Sequence, residues 1–177
     1  MRRIGIISDT HSHWDERYME YFEECDEIWH AGDICDANII ERLKAPYGTD
    51  ADGNPKERVV RAVCGNCDGG MLRLMFPEML RWRCEDVEVL MKHIGGYPGK
   101  YDRSVLKVLA NDPPKLFIAG HSHILKVMFD KELNILHINP GAAGIQGWHQ
   151  ERTLIRLTID GSDMRDLEVI SLGAKER

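Results

Sequence analysis

Short apolar runs and polar clusters alternate along the chain. RIGIIS (3–8), DEIWH (26–30), RVVRAVC (58–64) and KLFIAG (115–120) are too short for buried helices, and their β-branched and aromatic residues predict buried strands. Tyr18, Tyr21 and Phe22 at helical spacing predict a helix over 14–24, and DANIIERLK (36–44) predicts a second, capped by Asp36. Strand–helix–strand–helix–strand is the order of parallel βαβ units with right-handed crossovers. Further along the pattern changes. EMLRWRCEDVEVLMKH (78–93) predicts two strands about a tight turn, and DRSVLKVLAND (102–112) a helix stopped by Pro113 and Pro114. Residues 124–138 and 152–171 each predict a hairpin, the second turning at Asp160-Gly161. Two packed sheets with helices outside fit that order, an α/β class. PYGTDADGNPKE (46–57) is a polar surface loop and not a linker, so residues 1–172 are expected to form a single domain and 173–177 a frayed tail. Met71, Met75, Met79 and Met91 read as core or edge filler.

Composition narrows the classes. A chain of 177 residues buries roughly 70% of its extended surface on folding, so the core needs neither disulfide nor structural metal. The hydrophobic share of 43% includes no run approaching the roughly 18 residues of a membrane span, so no membrane association is expected. The start, MRRIGIISDTHSH, lacks a signal peptide's apolar stretch, and five cysteines, an odd number, fit reduced thiols; export is expected to be absent and the protein cytoplasmic. A net charge of −6 offers no basic footprint, so no stable nucleic-acid complex is expected. A small phosphorylated substrate stays compatible, because a bound metal supplies local positive charge.

The chemistry collects where the strands end. Asp9-Thr10-His11 follows the first strand, Gly32-Asp33 the second and Gly65-Asn66 the third; His93 follows VLMK, and Gly120-His121-Ser122-His123 follows KLFIA. Ligands in α/β sheets bind at the carboxyl ends of strands, so these loops can converge. Asp, His and Asn donors suit Mn, Fe, Zn or Ni and need no thiolate. In extended backbone, residues i and i+2 share a side, which predicts that Asp9 with His11, and His121 with His123, each face one cavity. Seven candidate ligands exceed one ion's need; with a shared carboxylate they supply two ions, about 3.5–4 Å apart in two-metal hydrolases. Two divalent ions against two carboxylates leave a surplus of about two positive charges, suited to phosphate.

In this order, D-x-H, G-D, G-N-x-D, H and G-H-x-H resemble the calcineurin-like metallophosphoesterases. The short length and the GNCD form resemble the small bacterial and archaeal phosphodiesterase branch, to which the small retromer subunit is related. The resemblance runs from Arg3 to about Ile170. It implies a four-layer α/β/β/α sandwich of two mixed sheets flanked by helices. It further implies that Asp9, His11 and His123 hold one metal, that Asn66, His93 and His121 hold the other, and that Asp33 bridges them. The implied cofactors are two divalent transition-metal ions, Mn first, with Ni, Fe or Zn as alternatives. The implied activity is hydrolysis of a small phosphodiester by a metal-bridging hydroxide, with Asp33, Asn66, Cys67 and His121 as catalytic residues. The resemblance also suggests a homodimer or homotetramer. NPGAAG (139–144) resembles the family's late Asn-Pro-Gly turn, with Ala142 where Ser is common.

Other residues are assigned by position. Asp68 is expected either to hold a ligand or loop in place or to be a plain turn residue. His13 is expected to line the substrate mouth, and Trp14 to pack at a helix start. His30 is expected to fill space between strands, while His137 and His149 are placed outside the site. Tyr97 and Lys100, in GGYPGKY, either touch substrate or belong to a loop serving none. Two other classes compete. A noncatalytic scaffold like the small retromer subunit is disfavoured because every ligand position carries a competent side chain. A dithiol oxidoreductase through Cys64 and Cys67 leaves four ligand clusters without a role. Cys67 stands where the wider family has a phosphate-contacting His. A thiol, with an ordinary pKa near 8.5, protonates a leaving oxygen less well than an imidazolium, which predicts a modest hydrolase that prefers diesters with good leaving groups. Cys67→His is accordingly expected to raise turnover on poor leaving groups in a side-by-side assay, and no gain counts against that role.

Overall fold

The two faces of each central strand are buried against different partners, and this builds the layers. The computed structural model describes residues 1–175. Its elements are β1 (Arg2–Ile7), α1 (Arg17–Tyr21), β2 (Glu27–His30), α2 (Ala37–Leu43), β3 (Val59–Ala62), α3 (Met71–Met75), β4 (Met79–Cys84) and β5 (Val87–Lys92). There follow β6 (Gly96–Tyr97), β7 (Lys100–Tyr101), α4 (Arg103–Asn111), β8 (Leu116–Ile118), β9 (Leu125–Asp130), β10 (Ile135–Pro140), β11 (Glu151–Asp160) and β12 (Asp163–Ala174).

One sheet has the order β12-β11-β1-β2-β3 and the other β4-β5-β8-β10-β9, with β6-β7 a separate small hairpin. Both main sheets are mixed. The strands β1, β2 and β3 run parallel, as do β5, β8 and β10, while β11, β12, β4 and β9 join by antiparallel pairing. Ile4 and Ile6 of β1, Val89 and Met91 of β5, and Leu116 and Ile118 of β8 share the core between the sheets. Ile7 turns the other way, onto Phe22, Ile40 and Leu43 beneath α1 and α2. On the far side Leu90 and Phe117 pack on Val105 and Leu109 of α4. Helix–sheet–sheet–helix is the expected four-layer sandwich, and strands buried on both faces explain why their runs are continuously apolar. Asp36 caps α2 through the Asn38 amide (2.9 Å) as expected, and Asp102 caps α4 through Ser104 (2.9 Å).

Several local expectations are corrected. The helix expected over 14–24 is a single short turn, α1, because Asp15 folds back on the Arg17 amide (3.1 Å) and Glu23 and Glu24 crowd the helix's negative end. Trp14 packs edge-on against Tyr18 and under Arg42, as expected of a helix-start residue. Met91 lies in the core, but Met71, Met75 and Met79 are exposed, two of them on the unforeseen α3. GGYPGKY is a β-hairpin. Gly173 and Ala174, assigned to a frayed tail, pair in β12; the rest of that tail beyond Lys175 lies outside the described residues. Among the described residues no helix is long and apolar enough to cross a membrane.

One buried ion pair ties the sandwich to the loops above it. Arg152 donates to the Ala143 carbonyl (2.7 Å), to Asp15 (2.8 Å) and to the Tyr18 hydroxyl (3.2 Å), while the Ala143 amide donates to Ser8 (3.0 Å). Hydrogen bonds from Arg17 outweigh burial and, with Arg152, hold Asp15 well below the usual carboxylate range. Its contribution is therefore present above the unfolded carboxylate pKa and is lost as pH falls through the lowered folded value. Asp15→Asn is expected to cost about 2 kcal/mol at neutral pH, shrinking toward zero in strong acid, measured by denaturant unfolding across pH.

Candidate metal centre

Parallel strands deliver their carboxyl ends to one edge, and five of the expected ligand positions there share an unusual backbone. Asp9 (φ 53°), His11 (45°), Asp33 (54°), His121 (67°) and His123 (59°) are all left-handed. This corrects the extended i, i+2 geometry expected for Asp9/His11 and His121/His123. Each such residue costs roughly 1–2 kcal/mol, so the surroundings must enforce it. They do so through backbone bonds between loops: Asp9 N–H to Gly32 O (3.0 Å), His11 N–H to Asp33 O (3.0 Å) and Gly144 N–H to Asp9 O (3.1 Å). Gly65 is required by close approach, since a Cβ there would collide with the Asp33 carboxylate.

Ligand atoms of Asp9, His11 and His123 lie within 4.8 Å of one another, as do those of Asp33, His93 and His121. The two groups adjoin. Asp33 Oδ2 is 3.2 Å from His93 Nε2 and 3.7 Å from His11 Nε2, and Asp9 Oδ1 is 3.1 Å from His123 Nε2. Yet the buried Asp9 Oδ1 and His93 Nε2 make no hydrogen bond of acceptable geometry. Buried polar atoms that approach one another without pairing fit a set converging on shared cations. Asn66 is exposed beside His93 on the wall of a small cleft, its amide donating to Cys67 Sγ (3.4 Å). His13 lies within the electrostatic reach of Arg152, Asp15 and Arg17, and burial with Arg152 lowers its pKa.

Burial pushes Asp9 up, but His123, His93 and Ser8 outweigh it and hold the carboxyl below its ordinary range. Burial likewise opposes ionisation of Asp33, and His93 and the Cys67 amide (2.8 Å) overcome it. His93 is raised because Asp33 and Asp9 outweigh burial. Burial, then Asp33, pushes the Cys67 thiol up to about 11, the opposite of what a redox dithiol needs. Cys64 is buried, and both thiols are free.

The rings around the ligands show what periodicity concealed. His93 Nδ1 faces the Ala31 carbonyl (2.7 Å) and must donate to it, which leaves Nε2 bare toward Asp33. His149, placed outside the site from sequence, is a correction: Nε2 donates to Gly144 O (3.0 Å), and its Nδ1 then accepts from His123 Nδ1 (3.3 Å). That chain leaves His123 Nε2 free to ligate. His30 is more than filler. It accepts from the Gly32 amide (3.2 Å) and donates to Thr10 (3.0 Å), joining the first two ligand loops; burial pushes it down to about 4. Asp68 takes the Cys35 and Gly65 amides (both 2.7 Å), the holding role and not a plain turn. Asn139 donates to Gly120 O (2.8 Å) and steadies the last ligand loop. Cys35, 3.5 Å from His11 Nδ1, carried no signal in the sequence, and only its position beside Asp33 in the fold brings it there.

Residues 1–162 match the family model described as the calcineurin-like phosphoesterase superfamily domain. The chain is 29% identical to a probable metallophosphoesterase of Methanothermobacter thermautotrophicus, over 97% of this chain and 93% of that one. It also superposes on a novel archaeal phosphodiesterase (TM-score 0.67, 22% identity, 96% and 99% covered) and on Vps29 of Chaetomium thermophilum (TM-score 0.69, 13% identity, 99% and 100% covered).

If His149 orients His123, His149→Ala should weaken divalent-metal binding about tenfold or more, read by competition with a chromophoric chelator. Unchanged affinity would show that His123 needs no such support.

Proposed function

The chain belongs to the calcineurin-like phosphoesterase superfamily, and on that basis we propose that it is a dinuclear-metal phosphodiesterase acting on a small phosphodiester. The observation that carries the reading is the pair of adjoining donor groups with Asp33 between them and bare, buried Asp9 Oδ1 and His93 Nε2 atoms. Asp9, His11 and His123 would hold one ion and Asn66, His93 and His121 the other, with Asp33 shared. When bound, two such ions supply Lewis acidity and a water acidic enough to act as nucleophile near neutral pH.

The chain's own residues orient and exclude. His149 and the Ala31 carbonyl set the ring tautomers of His123 and His93. His30, Asp68 and Asn139 immobilise the loops that carry the donors. Cys67, exposed and adjacent to Asp33, has a thiol proton to offer a departing oxygen, and it offers that proton weakly. That weakness supports diesters with good leaving groups. Oxygen and nitrogen donors without thiolate suit Mn, Fe, Ni or Zn, and the family resemblance puts Mn first. The odd count of free cysteines supports a cytoplasmic setting. A scaffold role like that of the small retromer subunit is disfavoured by the complete donor set.

Asp33→Asn and Asn66→Ala are each expected to abolish turnover of bis(p-nitrophenyl) phosphate in protein reconstituted with Mn, Ni, Zn or Mg in parallel, with the thermal melt unchanged. A chelated, folded sample is expected to be inactive, and full turnover in that sample refutes the mechanism.

A further inference from the structure

A cleft of about 440 Å³ opens beside the metal centre, sharing Gly120, His121 and Ser122 with the last ligand loop. That volume is typical of small-molecule sites, which run roughly 300–1,000 Å³. Its floor holds His137, which is fully buried and has no hydrogen-bond partner at either ring nitrogen. Buried polar atoms are rarely left so, and the exception calls for a ligand or other occupant. The ring is packed between Tyr101 and Phe117, at centroid distances of 6.4 and 5.6 Å. Burial pushes His137 down to about 4, so at neutral pH the ring carries one N–H donor and one bare acceptor nitrogen, which point apart.

The walls and rim add two further chemistries. Tyr97 stands at the wall with Lys126 Nζ 3.7 Å above its ring. Lys100 and Arg103 complete a cationic rim with Lys126, while two nearby acids are engaged, Asp102 by the Ser104 amide and Asp130 by the Tyr101 hydroxyl. In a chain of net charge −6, that local excess of positive charge marks a place for an anion.

Resting on the phosphodiesterase reading above, we propose that this cleft receives the alcohol portion of the ester, and that this portion is a nucleoside-like group carrying its own phosphate. The ring would lie along Tyr97 with one polar edge atom toward a His137 nitrogen, and the second phosphate would meet Lys100, Arg103 and Lys126. Aromatic walls favour a planar ring, and plain sugar phosphates leave them unused.

The test titrates the full chain, in the presence of chelator, with AMP, adenosine and ribose phosphate, following binding by NMR shift perturbation. AMP is expected to bind about tenfold or more tighter than either fragment, and Lys126→Ala to weaken it about tenfold. His137→Phe should weaken AMP similarly. Absence of saturable AMP binding, equal binding of ribose phosphate, or indifference to the surface variant Lys126→Ala would each overturn the proposal. Turnover of bis(p-nitrophenyl) phosphate, which has no group for the cationic rim, reads the hydrolase assignment separately. AMP binding with no such turnover supports the cleft while sinking that assignment, and turnover without AMP binding sinks the cleft.

Discussion

Two ionised carboxylates, Asp9 and Asp33, are buried within reach of one imidazole, His93, at 3.9 and 3.2 Å. Parallel pairing imposes this closeness. Ile7 of β1 sits opposite His30 of β2, so the loops that follow leave the sheet side by side. Burying like charges together is unfavourable unless donors or cations answer them. Ser8, the His121 amide and the Cys67 amide answer part of the charge. Cations bound only by the folded chain would answer the rest and add to its stability.

The same edge carries backbone strain. Left-handed φ at five ligand residues is held by bonds between loops, and His30, Asp68 and Asn139 extend that hold from side chains. A site assembled from strained loops is normally soft, but here each loop leaves a buried parallel strand and is fastened to its neighbour. Donor positions are thus set before any ligand arrives, which is what metal selectivity and positioning of a phosphorus atom require.

The sandwich is shared with an archaeal phosphodiesterase and with Vps29, and a shared fold does not by itself choose a function. The choice lies in the side chains at the strand ends. Here those positions hold carboxylates, imidazoles and an amide, with rings behind them that fix tautomers. The neighbouring cleft differs in kind. Its lining brings Tyr97 and Tyr101 together with Lys100 and Lys126, a chemistry distinct from the donor set.

The sequence by itself determined the strand runs, the helix capped by Asp36 and the polar clusters at the strand ends, and the order of those motifs carried the resemblance that implied four layers and the grouping of the ligands, because apolar runs and short polar motifs are local properties of the chain. It could not determine that Asp9, His11, Asp33, His121 and His123 adopt left-handed backbone, since those angles are enforced by amides of other loops. His149 gave no signal in a polar stretch, and only packing against His123 shows its use. His137 looked like an ordinary strand residue, and Tyr97 and Lys126, far apart in the chain, meet only once β6 folds back beside β9. Tertiary structure decided these matters because hydrogen-bond partners and burial are set by which distant segments come together, and no local pattern encodes that distance.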